Sequence, residues 1–238
     1  GLFRQHDRDA VADRIGELGG TGNQLLPRRI EFERALGHRT DQDFEQLRVD
    51  GAGRTDAGVH ATGQVIAFSW DGRLEADELG RALDALLPRD IAIRDLRSVQ
   101  PGWNPRYAAR YREYRYTVWN GPRSPLAERQ SLGVRAPLDT AAMERAGSVF
   151  IGRHDFSAFG AADRTSVRTV MAVRVRRDGR TVTIDVRADA FLRVMVRRMV
   201  ACLLEVGLGK MDTDAVRTAL AGPGPALDAL EKLGLGNY

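Results

Sequence analysis

Cysteine, lysine and long apolar runs are what this 238-residue chain has little of. Its single cysteine, Cys202, has no intrachain partner, so a disulfide framework is excluded and a reducing compartment is expected. No apolar run approaches the roughly 20 residues that cross a bilayer, so no membrane span is expected. The opening Gly1-Leu2-Phe3-Arg4-Gln5-His6-Asp7 lacks the charged-then-apolar layout of a secretory signal, and a cytoplasmic location follows as the expectation. The four histidines, His6, His38, His60 and His154, are scattered, so no metal-ligand spacing appears. A P-loop and a dinucleotide fingerprint are also missing, and no cofactor is expected.

What is present in excess is arginine. The chain carries 36 basic against 32 acidic residues, a net charge of +4, and only Lys210 and Lys232 among the cations are lysines. Guanidinium groups hold phosphate with two parallel hydrogen bonds and stack on bases, which suits RNA; a GC-rich genome produces the same bias without selection for binding. An apolar content of 43% over this length allows one substantial core, or two lobes sharing a sheet.

Periodicity outlines the elements. Val11, Ile15 and Leu18 fall at helical spacing from Asp9 onward and stop at Gly19-Gly20-Thr21-Gly22; Ile30 to Leu36 reads as a second helix. Gln64 to Trp70 reads as a strand, and Glu75 to Leu87 as a helix with Leu79, Leu83 and Leu86 on one face and Pro88 as its stop. Ile91 to Val99 looks like a strand. Over Arg112 to Trp119, period-two geometry puts Tyr114, Tyr116 and Val118 on one face and Arg115, Thr117 and Trp119 on the other. Asp139 is a helix cap ahead of Met143, Gly147 and Phe150, and Gly152 to Arg168 reads as a long loop. Val170–Arg176 and Thr181–Ala188 flank Asp178-Gly179, a hairpin signal, and Phe191 to Val206 reads as a densely apolar helix closed by Gly207. No solenoid repeat or linker divides the chain, so residues 1–238 are expected to form a single unit of α/β (α+β) class with a mixed, largely antiparallel sheet.

One stretch stands out: Gly51-Ala52-Gly53-Arg54-Thr55-Asp56-Ala57-Gly58-Val59-His60-Ala61. Its glycines let the backbone turn sharply or approach a ligand, while Arg54 and Asp56 place opposite charges two positions apart; an isolated Asp-Ala-Gly would be no more than a surface turn. The segment as a whole, continuing through Thr62-Gly63-Gln64-Val65-Ile66-Ala67-Phe68, closely resembles the catalytic motif of the TruA family of tRNA pseudouridine synthases. Two further segments share the likeness. Arg112-Glu113-Tyr114-Arg115-Tyr116 is similar to the family's aromatic strand, and Phe191-Leu192-Arg193-Val194-Met195-Val196-Arg197 to its Phe-Leu-x-x-Met-Val-Arg helix. Trp103-Asn104-Pro105-Arg106-Tyr107-Ala108 and His154-Asp155-Phe156-Ser157-Ala158-Phe159 resemble family segments without evident chemistry. The ends, 1–50 and 223–238, depart from the pattern: Gly20-Thr21-Gly22-Asn23-Gln24 is a shortened echo of the usual opening turn.

The resemblance implies a pseudouridine synthase fold with two lobes around a central cleft. It also implies an isomerase acting on uridines at positions 38 to 40 of the tRNA anticodon stem-loop as a homodimer, with Asp56 as the essential carboxylate. It assigns Arg54 to RNA engagement and base flipping, Tyr114 to packing on the target uracil, and Arg197 to pairing with Asp56. Uracil must leave C1′ through N1, rotate and rejoin through C5, with no redox change; Asp56 could attack the sugar or remove a ribose proton. Taken without the resemblance, Tyr114 reads as a core aromatic, Asp189 competes as the partner of Arg197, and a non-catalytic RNA-binding protein on the same scaffold remains an alternative. Arg164, Arg168, Arg174, Arg176 and Arg177 form either a phosphate-contacting surface or a solvated face, and Cys202 reads as an inert core thiol.

Overall fold

The computed structural model describes residues 3–6, 49–56, 58–70, 72–161 and 164–222. The helices expected over Asp9–Leu18 and Ile30–Leu36 lie outside them. The chain forms two compact units, one of Arg4–Arg110 and one of Gly1–Phe3 with Tyr111–Tyr238.

In the first unit, β1 (Phe3–His6) runs parallel to β3 (His60–Ala61), and β2 (Val49–Gly51) pairs antiparallel with β4 (Ile66–Phe68). The strand expected over Gln64–Trp70 is thus confined to its centre. Helix α1 (Ala76–Leu86) begins with Asp77 and Glu78, which favour the positive end of the helix dipole. Its Leu79 and Leu83 pack with Leu87, Ile66 and Ile91 into the unit's core. Leu86, expected on that face, is 63% exposed, because the buried stripe advances by four residues to Leu87 rather than by three. The expected strand from Ile91 to Val99 is instead an extended segment laid on α1, where the Ile93 N–H donates to Asp84 Oδ1 at 2.8 Å and Leu96 joins the core. After it, the short α2 (Pro105–Ala108) is capped by Asn104, whose side chain accepts the Arg106 N–H at 2.9 Å.

The second unit is built on β5 (Arg112–Asn120), β8 (Val167–Asp178) and β9 (Thr181–Ala188), all antiparallel neighbours in the order β5-β9-β8. β6 (Leu132–Val134) adds parallel to β5, and β7 (Gly152–Asp155) antiparallel to β8. This is the mixed, largely antiparallel sheet anticipated from the sequence. Asp178 pairs with Thr181 across the turn at Gly179-Arg180, as the hairpin signal predicts. The stretch read as a loop from Gly152 to Arg168 contains β7 and a 3-10 turn at Ser157–Phe159, since Gly152–Asp155 pairs with Val167–Val170.

Tyr116 and Val118 of β5, Ile184 and Val186 of β9 and Val173 of β8 are buried on one sheet face. Helix α3 (Thr140–Gly147) packs on β8 and on α4 (Met195–Gly207), with α5 (Thr213–Ala221) beside it. Asp139 caps α3 by accepting the Ala142 N–H at 2.9 Å. α4 is buried almost all round, through Met195, Met199, Val200, Cys202, Leu203 and Leu204. The opposite face carries ion pairs between strands: Asp185, only 5% exposed in its side chain, is held by Arg115 at 2.6 Å and Arg176 at 2.9 Å, and Glu113 by Arg187 at 2.6 Å. Arg187 also stacks over Tyr111, 4.4 Å from its ring centroid.

Truncating one partner of a buried charge cluster strands the others. Asp185→Ala is therefore expected to destabilise the fold by about 2–4 kcal/mol in denaturant titration, given the partial exposure of both arginines.

Burial pushes the Tyr116 phenol up to about 12, against the opposing charge of Arg197, and burial followed by the Glu205 charge pushes the Cys202 thiol up to about 12. Both groups are neutral in folded and unfolded chains at neutral pH. As pH rises past their ordinary values the unfolded chain releases these protons first, so stability falls toward pH 12, by up to about 1.4 kcal/mol per pH unit per group. Tyr116→Phe is expected to flatten this decline above pH 10, measured as unfolding free energy against pH.

Candidate active site

The glycine-rich segment leaves β2 at Gly51 and is fastened at its base. Ala52 and Val65 are fully buried against Trp103, the Ala52 N–H donates to the Val65 carbonyl at 2.9 Å, and Gln64 Nε2 donates to the Gly53 carbonyl at 2.8 Å. Further on, the Asp56 carbonyl accepts the Val59 N–H at 3.1 Å, closing a four-residue turn in which Gly58 has φ of +75°. A side chain at Gly58 would meet open space, so the backbone angle alone calls for glycine. Between the two fastenings Arg54 and Asp56 are exposed while Val59 is buried. The loop is thus a fixed backbone arch that presents one guanidinium and one carboxylate outward.

The second unit carries the other expected residues, Tyr114 and Arg197. Tyr114 lies on the helix-facing side of β5, two residues before the buried Tyr116, and the Phe191 ring meets it edge-on with centroids 5.2 Å apart. This contact was not foreseen, although Phe191 belongs to the motif quoted above. Helix α4 begins at Met195, not at Phe191 as expected, because Arg193 forms a β-bridge with Ala161 and Val194 turns left-handed with φ of 61°. Val194 is the only non-glycine residue at positive φ among the described residues, a conformation that costs a β-branched residue roughly 1–2 kcal/mol. It aims the first turn of α4, so that Arg197 is half-buried and its charge reaches the Tyr116 phenol.

The loop at Phe156–Ala161 holds this turn. Arg198 donates to the Ala158 carbonyl at 3.2 Å, and Gly160 lies so close that a Cβ there would sit 2.6 Å from both the Arg193 carbonyl oxygen and Leu192 Cβ. His154, Asp155 and Ser157 form no triad. The Ser166 side chain, then the Ser157 N–H at 2.9 Å, hold the Asp155 carboxyl below its usual range, and His154 Nε2 meets the Ile151 carbonyl. Asp189, the competing partner of Arg197, accepts the Thr169 and Ala190 N–H groups through Oδ1 at 3.0 and 2.6 Å. The five arginines grouped above divide. Arg176 is bound to Asp185, Arg177 to Asn120 and the Leu138 carbonyl, and Arg168 to the Thr165 and Val167 carbonyls, leaving Arg164 and Arg174 outward and exposed.

An open cavity of about 320 Å³ lies at the other end of β5, lined by Trp119, Arg123, Glu128, Ser131 and Arg135. Trp119 is five residues from Tyr114, about 16 Å along the strand, so this cavity is separate from the Tyr114 region.

Comparison with known proteins decides the family of this chain. Residues 21–108 and 146–233 match the family described as tRNA pseudouridine synthase. The chain belongs to that family. It is an enzyme, an isomerase that converts uridine to pseudouridine. Relatives named tRNA pseudouridine synthase A include one from Geobacter sulfurreducens, 46% identical over 218 residues, 88% of this chain and 89% of that relative. Another, from Geotalea uraniireducens, is 46% identical over 210 residues, covering 85% and 86%. A third, from Acetivibrio thermocellus, is 40% identical over 189 residues, covering 78% and 76%. The match to the pseudouridine synthase family extends into both segments whose sequence departs from the expected pattern.

An alanine at Gly160 has backbone on one side and a packed side chain on the other. Gly160→Ala is expected to lower thermal stability by about 1–3 kcal/mol and to reduce uridine isomerisation with it.

Proposed function

We propose that this pseudouridine synthase acts on uridines in the anticodon stem-loop of tRNA, with Asp56 as its essential catalytic carboxylate. The observation that carries the proposal is the Gly51–Val59 arch, rigid at its base through Ala52, Val65 and Gln64 and exposing Asp56 and Arg54 at its crest. A carboxylate that must meet a nucleotide of a folded RNA has to stand proud of its own backbone, yet hold its place to within fractions of an ångström.

The reaction balances on the substrate alone. The N1–C1′ bond breaks, a C5–C1′ bond forms, the C5 proton leaves and N1 takes up a proton. Asp56 either attacks C1′ or removes a ribose proton to open the route, and the target uridine must first leave its stack. Arg54 engages the RNA and takes part in flipping the target base. Tyr114 offers the uracil an aromatic face, and the near-perpendicular ring of Phe191 fixes the plane of that face. Arg197 is assigned, as the resemblance implies, to pair with Asp56; the engagement of Asp189 by two backbone N–H groups favours this assignment. The resemblance further implies a homodimer working in the cytoplasm.

Tritium release from C5-labelled uridine in tRNA tests the reading. Wild-type enzyme is expected to release tritium, and Asp56→Asn to lose at least about 100-fold in rate while still binding tRNA. Equal rates in the two proteins would remove Asp56 from the chemistry, and mapping of the modified nucleotides would separate tRNA from ribosomal RNA as substrate.

A further inference from the structure

The segment Trp103–Arg110 takes no part in the chemistry above, yet it holds a residue out of keeping with its neighbours. Tyr107 is 84% exposed, whereas Trp103, four residues earlier, packs against Ala52 and Val65 under the catalytic arch. A large aromatic ring left bare on a soluble protein forgoes the stabilisation that burying its apolar surface would bring. The turn that carries it is fastened to its surroundings. Asn104 caps the turn through the Arg106 N–H, reaches Asp50 of β2 with its Nδ2 at 3.4 Å, and accepts the Tyr107 and Ala108 N–H groups on its carbonyl at 3.2 and 3.0 Å. Pro105 at the start of α2 is buried and fixes the backbone further. Arg106 and Arg110, on either side of Tyr107 in sequence, are exposed.

We infer that Tyr107 is a second base-stacking platform, which takes an unstacked nucleotide of the tRNA substrate other than the target uridine, with Arg106 and Arg110 on the adjoining phosphates. The chemistry is that of single-stranded RNA recognition: an aromatic face for any base, carried on a fastened turn, beside guanidinium groups for the backbone. The platform stands next to the arch because α2 packs on β2, the strand that delivers Gly51 and the residues after it. A turn held in place before binding gives up little backbone freedom when a base lands on the ring it carries. This inference rests on tRNA being the substrate, but not on the role of Asp56.

The test is tRNA affinity, measured by filter binding with the full chain in the Asp56→Asn background so that turnover does not intervene. Tyr107→Ala is expected to weaken binding by roughly 5- to 100-fold, and Tyr107→Phe, which keeps the face, to restore it. Arg110→Ala is expected to make the dependence of log affinity on log salt shallower by up to about one. Affinity unchanged in Tyr107→Ala would overturn the platform and leave the catalytic proposal standing. So would a loss equal in Tyr107→Phe, or one that tracks a change in sedimentation, since the ring would then serve a contact between copies of the chain. Failure of the wild-type chain itself to bind tRNA would sink both.

Discussion

The buried carboxylate of Asp185 is the constraint on which the second unit depends. It sits on the central strand β9 and is gripped from β5 by Arg115 and from β8 by Arg176, so a single charge ties three strands in one register. A slip of one residue would send it to the apolar face and bring Val186 or Ile184 out in its place. With the register fixed, every second residue of β5 is committed, and Tyr114 comes to lie beside Phe191 while Tyr116 is closed in under α4. The polar face of the sheet thus determines what the apolar face presents.

Much of this was legible in the sequence, and the failures have definite physical origins. The hairpin at Asp178-Gly179 was readable because turn chemistry is local. β7 was not, since Gly-Arg-His-Asp has no buried face of its own and is a strand only by virtue of pairing with β8. The start of α4 was misplaced for a similar reason. Phe191 to Val194 is as apolar as the helix that follows, and what breaks it is the left-handed turn at Val194 and the bridge from Arg193 to Ala161, 32 positions earlier in sequence. Leu86 and Leu87 differ by one step of 100°, which a hydrophobic count does not resolve.

The site shows the same division. Motif resemblance picks out Asp56, Arg54, Tyr114 and Arg197 as the proposed site residues, because the chemistry proposed for them tolerates few substitutes. It was silent about what keeps them in place: the Gln64 amide on the Gly53 carbonyl, the Phe191 edge on Tyr114, the near-contact of Gly160 with Arg193. Such supports depend on distance and direction across the fold, and many residue combinations can provide them. Reading a family from a sequence therefore says what a site does before it says why the site holds its shape.

The sole thiol of the chain has a practical consequence. Cys202 lies at the centre of α4 with no exposed surface, and burial keeps it protonated. Oxidants and maleimides attack thiolates that they can reach, so the native protein offers them no handle. A cysteine placed at an exposed position would then be the one reactive sulfur in the molecule, and a fluorophore or spin label could be attached there without first removing a native residue.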